Sequence, residues 1–360
     1  VACFGAGWAC HAEVNFVPQN LAVPVPHGLG DEEAAFAGVG AIALHGVRQL
    51  GAGIEDVAVV IGLGLLGLLS VQILKAGGAR VVGYDPDEKK VAIARRLGAD
   101  YAAAAEEDIG EAVRKLSGGA GADAAIIMAA ADSPRPLEFA AELCRPKATI
   151  AVPGLVGLTI PRPLFYDKEL SLVIPHSAGP GIDDIDYEER GIDYPHERVR
   201  WSAGRNLKGF LSLAAAGKID FKELITHRFP IESAEDAYKM IGEGKDDYIG
   251  TIISYPAEVL GEKKIYFSAP EDSGRPEKEK VKVGLIGAGL FARGTLLPAL
   301  RKIDGIQPGG VATATGTSGS HIGRKFEFEY CTTDYRQLLD DEGIDCVVIA
   351  TRHNLHAPQV

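Results

Sequence analysis

Along this chain, short and nearly uncharged apolar runs alternate with longer segments whose apolar residues return every three or four positions. Ala58–Ile61, Arg80–Tyr84, Ala124–Met128 and Ala148–Pro153 are runs of the first kind, and they predict strands covered on both faces, as in a parallel sheet. Leu65–Lys75, Glu107–Leu116 and Pro136–Cys144 carry the helical period and predict the connections between those strands. The alternation predicts an α/β fold built on a doubly wound parallel sheet. It begins again near the other end, with strands at Val281–Ile286 and Gly310–Ala314 and helices at Leu296–Lys302 and around His321–Lys325. The charged, proline-bearing residues 256–280 between the two patterns predict a linker with one short strand, Lys264–Ser268, inside it.

Length agrees with that division, because single cores stop growing near ~250–300 residues and this chain has 360. A formal net charge of −12 repels phosphate polymers and anionic lipid, so neither nucleic acid nor a membrane surface is an expected partner. The window from Val57 to Leu74 lacks charge, but glycines, Ser70 and Gln72 interrupt it. Turn chemistry in its middle reads as a buried strand, a loop and a buried helix, not a membrane span. Five cysteines without CxxC spacing predict neither a disulfide framework nor a zinc ribbon, and a reducing cytoplasmic location fits them. Val1 opens without a basic, apolar leader, and the chain stops just after a run that reads as a buried strand. Both ends therefore read as cuts through domains, which makes the second sheet an incomplete one.

The chemistry concentrates at two glycine turns. Gly62, Gly64 and Gly67 follow the first strand with GxGxxG spacing. The first glycine permits the tight turn, the second lets a pyrophosphate approach the backbone, and the third allows close packing of helix on strand. The backbone at Gly64, Leu65 and Leu66 then opens a helix whose free N–H groups and dipole favour phosphate. Asp85 ends the next strand about twenty residues further on, where a carboxylate accepts both hydroxyls of an adenosine ribose and repels a 2′-phosphate, so NAD is expected here. Strand ends at Met128–Ala131, with Ala129 among them, and at Val152–Leu155 are expected to rim the nicotinamide crevice. Gly287, Gly289, Leu290, Phe291 and Ala292 repeat the turn as GxGxxA. The following strand ends at Thr315 without a carboxylate, which leaves NAD and NADP open at this second Rossmann-type site.

Residues 38–67, GVGAIALHGVRQLGAGIEDVAVVIGLGLLG, resemble the approach helix and dinucleotide turn of the medium-chain, zinc-type alcohol dehydrogenases. VNFVPQNLAVPVPH, residues 14–27, is similar to the last strands of that family's GroES-like catalytic domain, and ELITHRFPIESAEDAYKMIGEG, residues 223–244, to its return segment, closed by a strand at Tyr248–Ser254. The resemblance implies a GroES-like remnant over 1–36, a first Rossmann domain over 37–212, a return to the catalytic domain over 213–256 and a linker over 257–280. It places the family's third zinc ligand at Ala37, which cannot bind metal, so no catalytic zinc is expected; Cys3, Cys10 and His11 read as ordinary core or loop residues. The second turn, with TTDYRQLL and ATRHNLHA after it, resembles the glucose-fructose oxidoreductase and inositol dehydrogenase family (Gfo/Idh/MocA), here over 281–360. That resemblance implies that Thr351 and Asn354 border the cofactor and that His356 is the last histidine of the nicotinamide turn.

The segment 177–206, SAGPGIDDIDYEERGIDYPHERVRWSAGRN, is an irregular insert with an acidic half and a basic half. Arg198, Arg200 and Arg205 are candidates to fork onto a carboxylate or phosphate, with Trp201 as an apolar plate for a sugar ring. The alternative is internal pairing of the two halves. The insert resembles a feature of bacterial fused oxidoreductases encoded with polysaccharide genes. The function these readings imply is NAD(P)-dependent hydride transfer to or from an alcohol or carbonyl of a small sugar-like molecule. Alternatives are a nucleotide-binding sensor without turnover and a chain with one working half. A homodimer is expected from the resemblance alone.

Overall fold

The computed structural model describes residues 1–12, 15–244, 247–256, 264–267 and 280–360. Val14, Ser268 and most of the expected linker lie outside the described residues. The chain divides into two compact units, Val1–Ala257 and Glu258–Val360.

The first unit opens with β1 (Ala2–Cys3) and β2 (Ala22–Val23), an antiparallel pair, followed by α1 (Asp31–Ala34) and α2 (Ala37–Leu50). The main sheet then alternates with its helices: β3 (Val57–Ile61), α3 (Leu65–Ala76), β4 (Arg80–Tyr84), α4 (Glu88–Arg96), β5 (Tyr101–Ala103), α5 (Glu106–Leu116), β6 (Ala122–Ile127), α6 (Arg135–Leu143), β7 (Cys144–Ala151), α7 (Arg162–Lys168) and β8 (Ser171–Val173). All six strands are parallel, in the order β5-β4-β3-β6-β7-β8. The order reverses between β3 and β6, and that switch point is where ligands enter such sheets. β7 begins at Cys144, four residues before the expected start, because Cys144 pairs with Ala122 across an irregular register.

Side-chain alternation along β3 divides the core in two. Ala58 and Val60 face Leu44 of α2, Leu68 of α3 and Val91 of α4, together with Phe210. Val57, Val59 and Ile61 face Ile109 of α5 and Leu137 of α6. Every residue of β3 is buried, and each fully buried branched side chain contributes about 1.5–3 kcal/mol relative to exposure.

The expected irregular insert contains α8 (Ile185–Glu188) and the start of α9 (Ala203–Ala215). Tyr187 anchors it at 1% exposure: its hydroxyl accepts from the Gly204 N–H at 2.9 Å, and its carbonyl accepts from the Asn20 side-chain amide at 2.8 Å. The return segment forms β9 (Ile225–Pro230), α10 (Ala234–Glu243) and β10 (Gly250–Ser254), with β10 parallel to β9.

The second unit contains β11 (Lys264–Tyr266), β12 (Val281–Ile286), α11 (Leu297–Leu300), β13 (Ile306–Ala312), α12 (Gly316–Phe326), β14 (Tyr330–Thr332), α13 (Arg336–Leu339), β15 (Cys346–Ile349) and α14 (His356–Gln359). Its sheet runs β11-β14-β13-β12-β15, parallel except for β11. The strand expected inside the linker is thus an antiparallel edge strand of this sheet, with Ile265 opposite Cys331. The helix expected from Leu296 starts earlier and widens into a π-helical stretch, Ala292–Leu296, before α11. Pro298 has no N–H to offer the carbonyl of Gly294, so the regular ladder is interrupted there.

Candidate functional site

The first glycine turn lies at the switch point of the large sheet. Gly62 adopts φ 90°, and a Cβ there would meet the Ala129 nitrogen at 2.6 Å. A Cβ on Gly67 would overlap the carbonyl oxygen of Gly62, whereas one on Gly64 would meet nothing within 4 Å. Two glycines are therefore required by packing, while the third borders open space. Gly64 caps α3 without a side-chain hydrogen bond, so the first-turn N–H groups at Leu65 and Leu66 face that space without an intrahelical partner.

Asp85 is 7% exposed. Its Oδ2 accepts from the Leu63 N–H at 2.8 Å and its Oδ1 from the Asp87 N–H at 3.0 Å. Two backbone donors thus fix the carboxylate beside the glycine turn. On the other side, Met128 N–H bonds Ile61 O at 2.7 Å, Gly154 N–H bonds Ile127 O at 3.0 Å and Ala131 N–H bonds Leu155 O at 2.8 Å. These bonds tie the ends of β3, β6 and β7 into one crevice wall that includes Ala129.

The second unit repeats the geometry. Gly287 has φ 91° and stands against Thr351, whose nitrogen a Cβ there would meet at 2.8 Å, while Gly289 borders open space. Leu290 and Phe291 are exposed. The Thr351 hydroxyl donates to Gln359 Oε1 at 2.6 Å, and His356 Nε2 donates to Thr351 O at 3.0 Å. Thr351 and His356 are thereby brought to Gly287, and Asn354 is exposed in the short helical turn between them. Thr315 caps α12, accepting from the Ser318 N–H at 3.4 Å. Sequence reasoning missed Arg293, whose Nε donates to Ala288 O at 2.6 Å and whose Nη2 donates to Ser318 Oγ.

The basic half of the insert separates into distinct roles. Arg205 is engaged internally, with Asp193 Oδ2 at 2.7 Å, Tyr194 O at 2.6 Å and Val199 O, so it is not free for substrate. Arg198 is exposed. The Arg200 guanidinium lies 3.9 Å from the Trp201 ring centroid, and Arg48 of α2 lies 3.3 Å from the same centroid. Arg48 also donates to Asn206 Oδ1. Burial, followed by repulsion from Arg200, lowers the Arg48 pKa to about 10. One turn earlier, His45 is 6% exposed and its Nδ1 has no hydrogen-bond partner among the described residues. Burial, then Arg48 and His176, holds its pKa below the ordinary value. His45 and Arg48 are the only titratable residues in the segment AGVGAIALHGVRQL, and that interruption is the sequence signal that could have identified them.

Ala37 is buried as the first residue of α2, Cys3 and Cys10 are exposed, and His11 hydrogen-bonds Tyr238 at 2.7 Å. Among the described residues no group of three or more His, Cys, Asp or Glu side chains could hold a metal ion. No described helix is long and apolar enough to cross a membrane.

Residues 66–179 match the zinc-binding dehydrogenase family, and residues 281–360 match an oxidoreductase family with an NAD-binding Rossmann fold. The chain is 28% identical over 227 residues to a sorbitol dehydrogenase of Halalkalibacterium halodurans, covering 61% of this chain and 59% of that protein. It is 36% identical over 115 residues to a D-guloside 3-dehydrogenase of Escherichia coli K12, covering 31% of this chain and 33% of the relative. The chain thus spans about three-fifths of the first of these relatives and a third of the second. Among solved structures, 2R,3R-butanediol dehydrogenase from Bacillus subtilis matches with a TM-score of 0.52 at 20% identity, covering 65% of this chain and 60% of that one. Its low identity speaks to the fold alone. The glycine turns, the two sheets and these matches together show a zinc-type alcohol-dehydrogenase-like region, matched over residues 66–179, followed by a Gfo/Idh/MocA-type region, matched over residues 281–360.

Proposed function

We propose that this chain works as an NAD(P)-dependent oxidoreductase that transfers hydride to or from an alcohol or carbonyl carbon of a sugar or sugar derivative, in polysaccharide metabolism. The observation that carries this reading is the first site, where open space beside Gly64 is flanked by the fixed Asp85 carboxylate. A pyrophosphate at the start of α3 and a ribose at Asp85 fit these groups, which supports NAD here. At the second site the place of a carboxylate is taken by Thr315, Ser318 and the Arg293 guanidinium. An arginine at that edge accommodates a 2′-phosphate, which supports NADP. The nicotinamide supplies the hydride chemistry when bound. The chain's own part is to hold the dinucleotide across the β3–β6 switch point and to position the substrate at the crevice wall. The sugar class draws support from the relatives named as sorbitol and D-guloside dehydrogenases.

Calorimetric titration of NADH and NADPH into the chain, repeated with Asp85→Ala and Gly289→Asp, tests the reading. Two sites are expected, the first losing its preference for NADH without Asp85 and the second abolished by the Gly289 change. Absence of binding by folded protein would refute it. A nucleotide-binding sensor is the second reading, favoured by Ala37 where the family resemblance calls for a metal ligand; turnover of any polyol or sugar would exclude it.

A further inference from the structure

The unit Val1–Ala257 holds a basic cluster that the dinucleotide does not account for. Arg48 projects from α2 and Arg200 from the insert, and both stack on Trp201, at 3.3 and 3.9 Å from its ring centroid. Among the described residues neither guanidinium has a carboxylate partner. Arg48 bonds the neutral amide oxygen of Asn206, and Arg200 Nη1 lies 2.6 Å from His196 Nε2. Two other arginines of the insert differ, since Arg190 pairs with Asp186 and Arg205 with Asp193.

A half-buried guanidinium loses hydration and ordinarily recovers it from an anion. Here its nearest charge is a second guanidinium on the same indole, which adds repulsion. An indole face stabilises the cations only in part. The neighbouring histidines, His45 with its buried, unpartnered Nδ1 and His176 at 3.5 Å from Asp183, are neutral or cationic groups and supply no negative charge. The helix that carries Arg48 also borders the crevice wall on another of its sides, where a Cβ on Gly46 would meet Pro153 at 2.9 Å.

We propose that Arg48, Arg200 and Trp201 form an oxyanion subsite for the substrate, so that the sugar this unit takes carries a carboxylate or phosphate. The two guanidinium forks donate to the oxyanion, and the Trp201 ring on which both are stacked holds them in place. The position of the ligand beside a nicotinamide rests on the oxidoreductase reading; the oxyanion affinity rests on these side chains alone.

The chain has two tryptophans, so a Trp8→Phe background leaves Trp201 as the sole indole reporter. In that background D-glucuronate, glucose 6-phosphate and glucose are titrated, following fluorescence. Saturation by either anionic sugar, with glucose at least about ten-fold weaker, supports the subsite, and the tighter of the two identifies the anion as carboxylate or phosphate. Arg200→Gln and, separately, Arg48→Gln are expected to weaken the anionic sugar about ten-fold or more, the loss of one charge-assisted pair. Because Arg200 is exposed, its variant keeps the test valid if Arg48→Gln fails to fold. An equal response to glucose, no saturable response, or an affinity unchanged by Arg200→Gln overturns the proposal. Calorimetry with NADH on the same proteins separates the two readings: loss of NADH binding with the fluorescence response intact removes the oxidoreductase reading and leaves the subsite standing.

Discussion

At the scale of single residues, the three glycines of the first turn make different demands, and substitution separates them. Gly67→Ala drives a methyl into the Gly62 carbonyl and should destabilise the unit by roughly 1–3 kcal/mol, as overpacking does. Gly64→Ala enters open space with φ −69° and should change the melting temperature little while weakening NADH binding; an unchanged affinity would place the pyrophosphate elsewhere. Arg293→Ser should lower the preference of the second site for NADPH over NADH, measured by calorimetry with Asp85 retained so that the first site stays selective for NADH. His45 adds a pH dependence. Its native pKa is held down first by burial, then by Arg48 and His176, so an unfolded chain binds a proton below about pH 6.5 that the native one refuses. Stability is complete above that pH and declines as the pH falls towards the lowered native value. His45→Gln should flatten this decline in urea midpoints compared at pH 7 and pH 5.

Among elements, the connection of α3 to β4 shows how one acid organises a crossover. Asp100 accepts from the Val81 N–H at 2.7 Å and pairs with Lys75 near the end of α3 at 2.8 Å. Burial works to raise its pKa, but the Lys75 and Val81 bonds outweigh it and the net shift is downward. Its contribution is therefore present above the unfolded carboxyl value near 4 and lost as the pH falls through the lower native value. Asp100→Asn should cost about 0.5–1 kcal/mol at pH 7, a modest amount because both side chains are about a third exposed. The difference from the parent should close below about pH 4 in thermal melts. Parallel strands and their helices were legible from the apolar runs because burial on both faces leaves an unbroken signature, as at Val57–Ile61. β11 was legible as a strand but not as a sheet edge, since its partner, Tyr330–Thr332, is remote in sequence.

For the whole molecule, two compact units with separate cores predict two calorimetric unfolding transitions. NADH should raise the transition of the first unit and NADPH that of the second, the latter shift being lost in Gly289→Asp; a single transition that moves as one would contradict independent cores. The sequence by itself determined the α/β class, the two glycine turns and the acid after the second strand, because these depend on local backbone demands and on spacing within one βαβ unit. It could not assign the insert's arginines, since Arg205 and Arg200 look alike until folding sets one against Asp193 and the other on Trp201. Nor could it join Arg48 to Trp201, residues far apart in the chain that meet only when α2 packs against α9. Local chemistry is written in neighbouring residues, whereas charge compensation is decided by which distant side chains packing brings within a few ångströms.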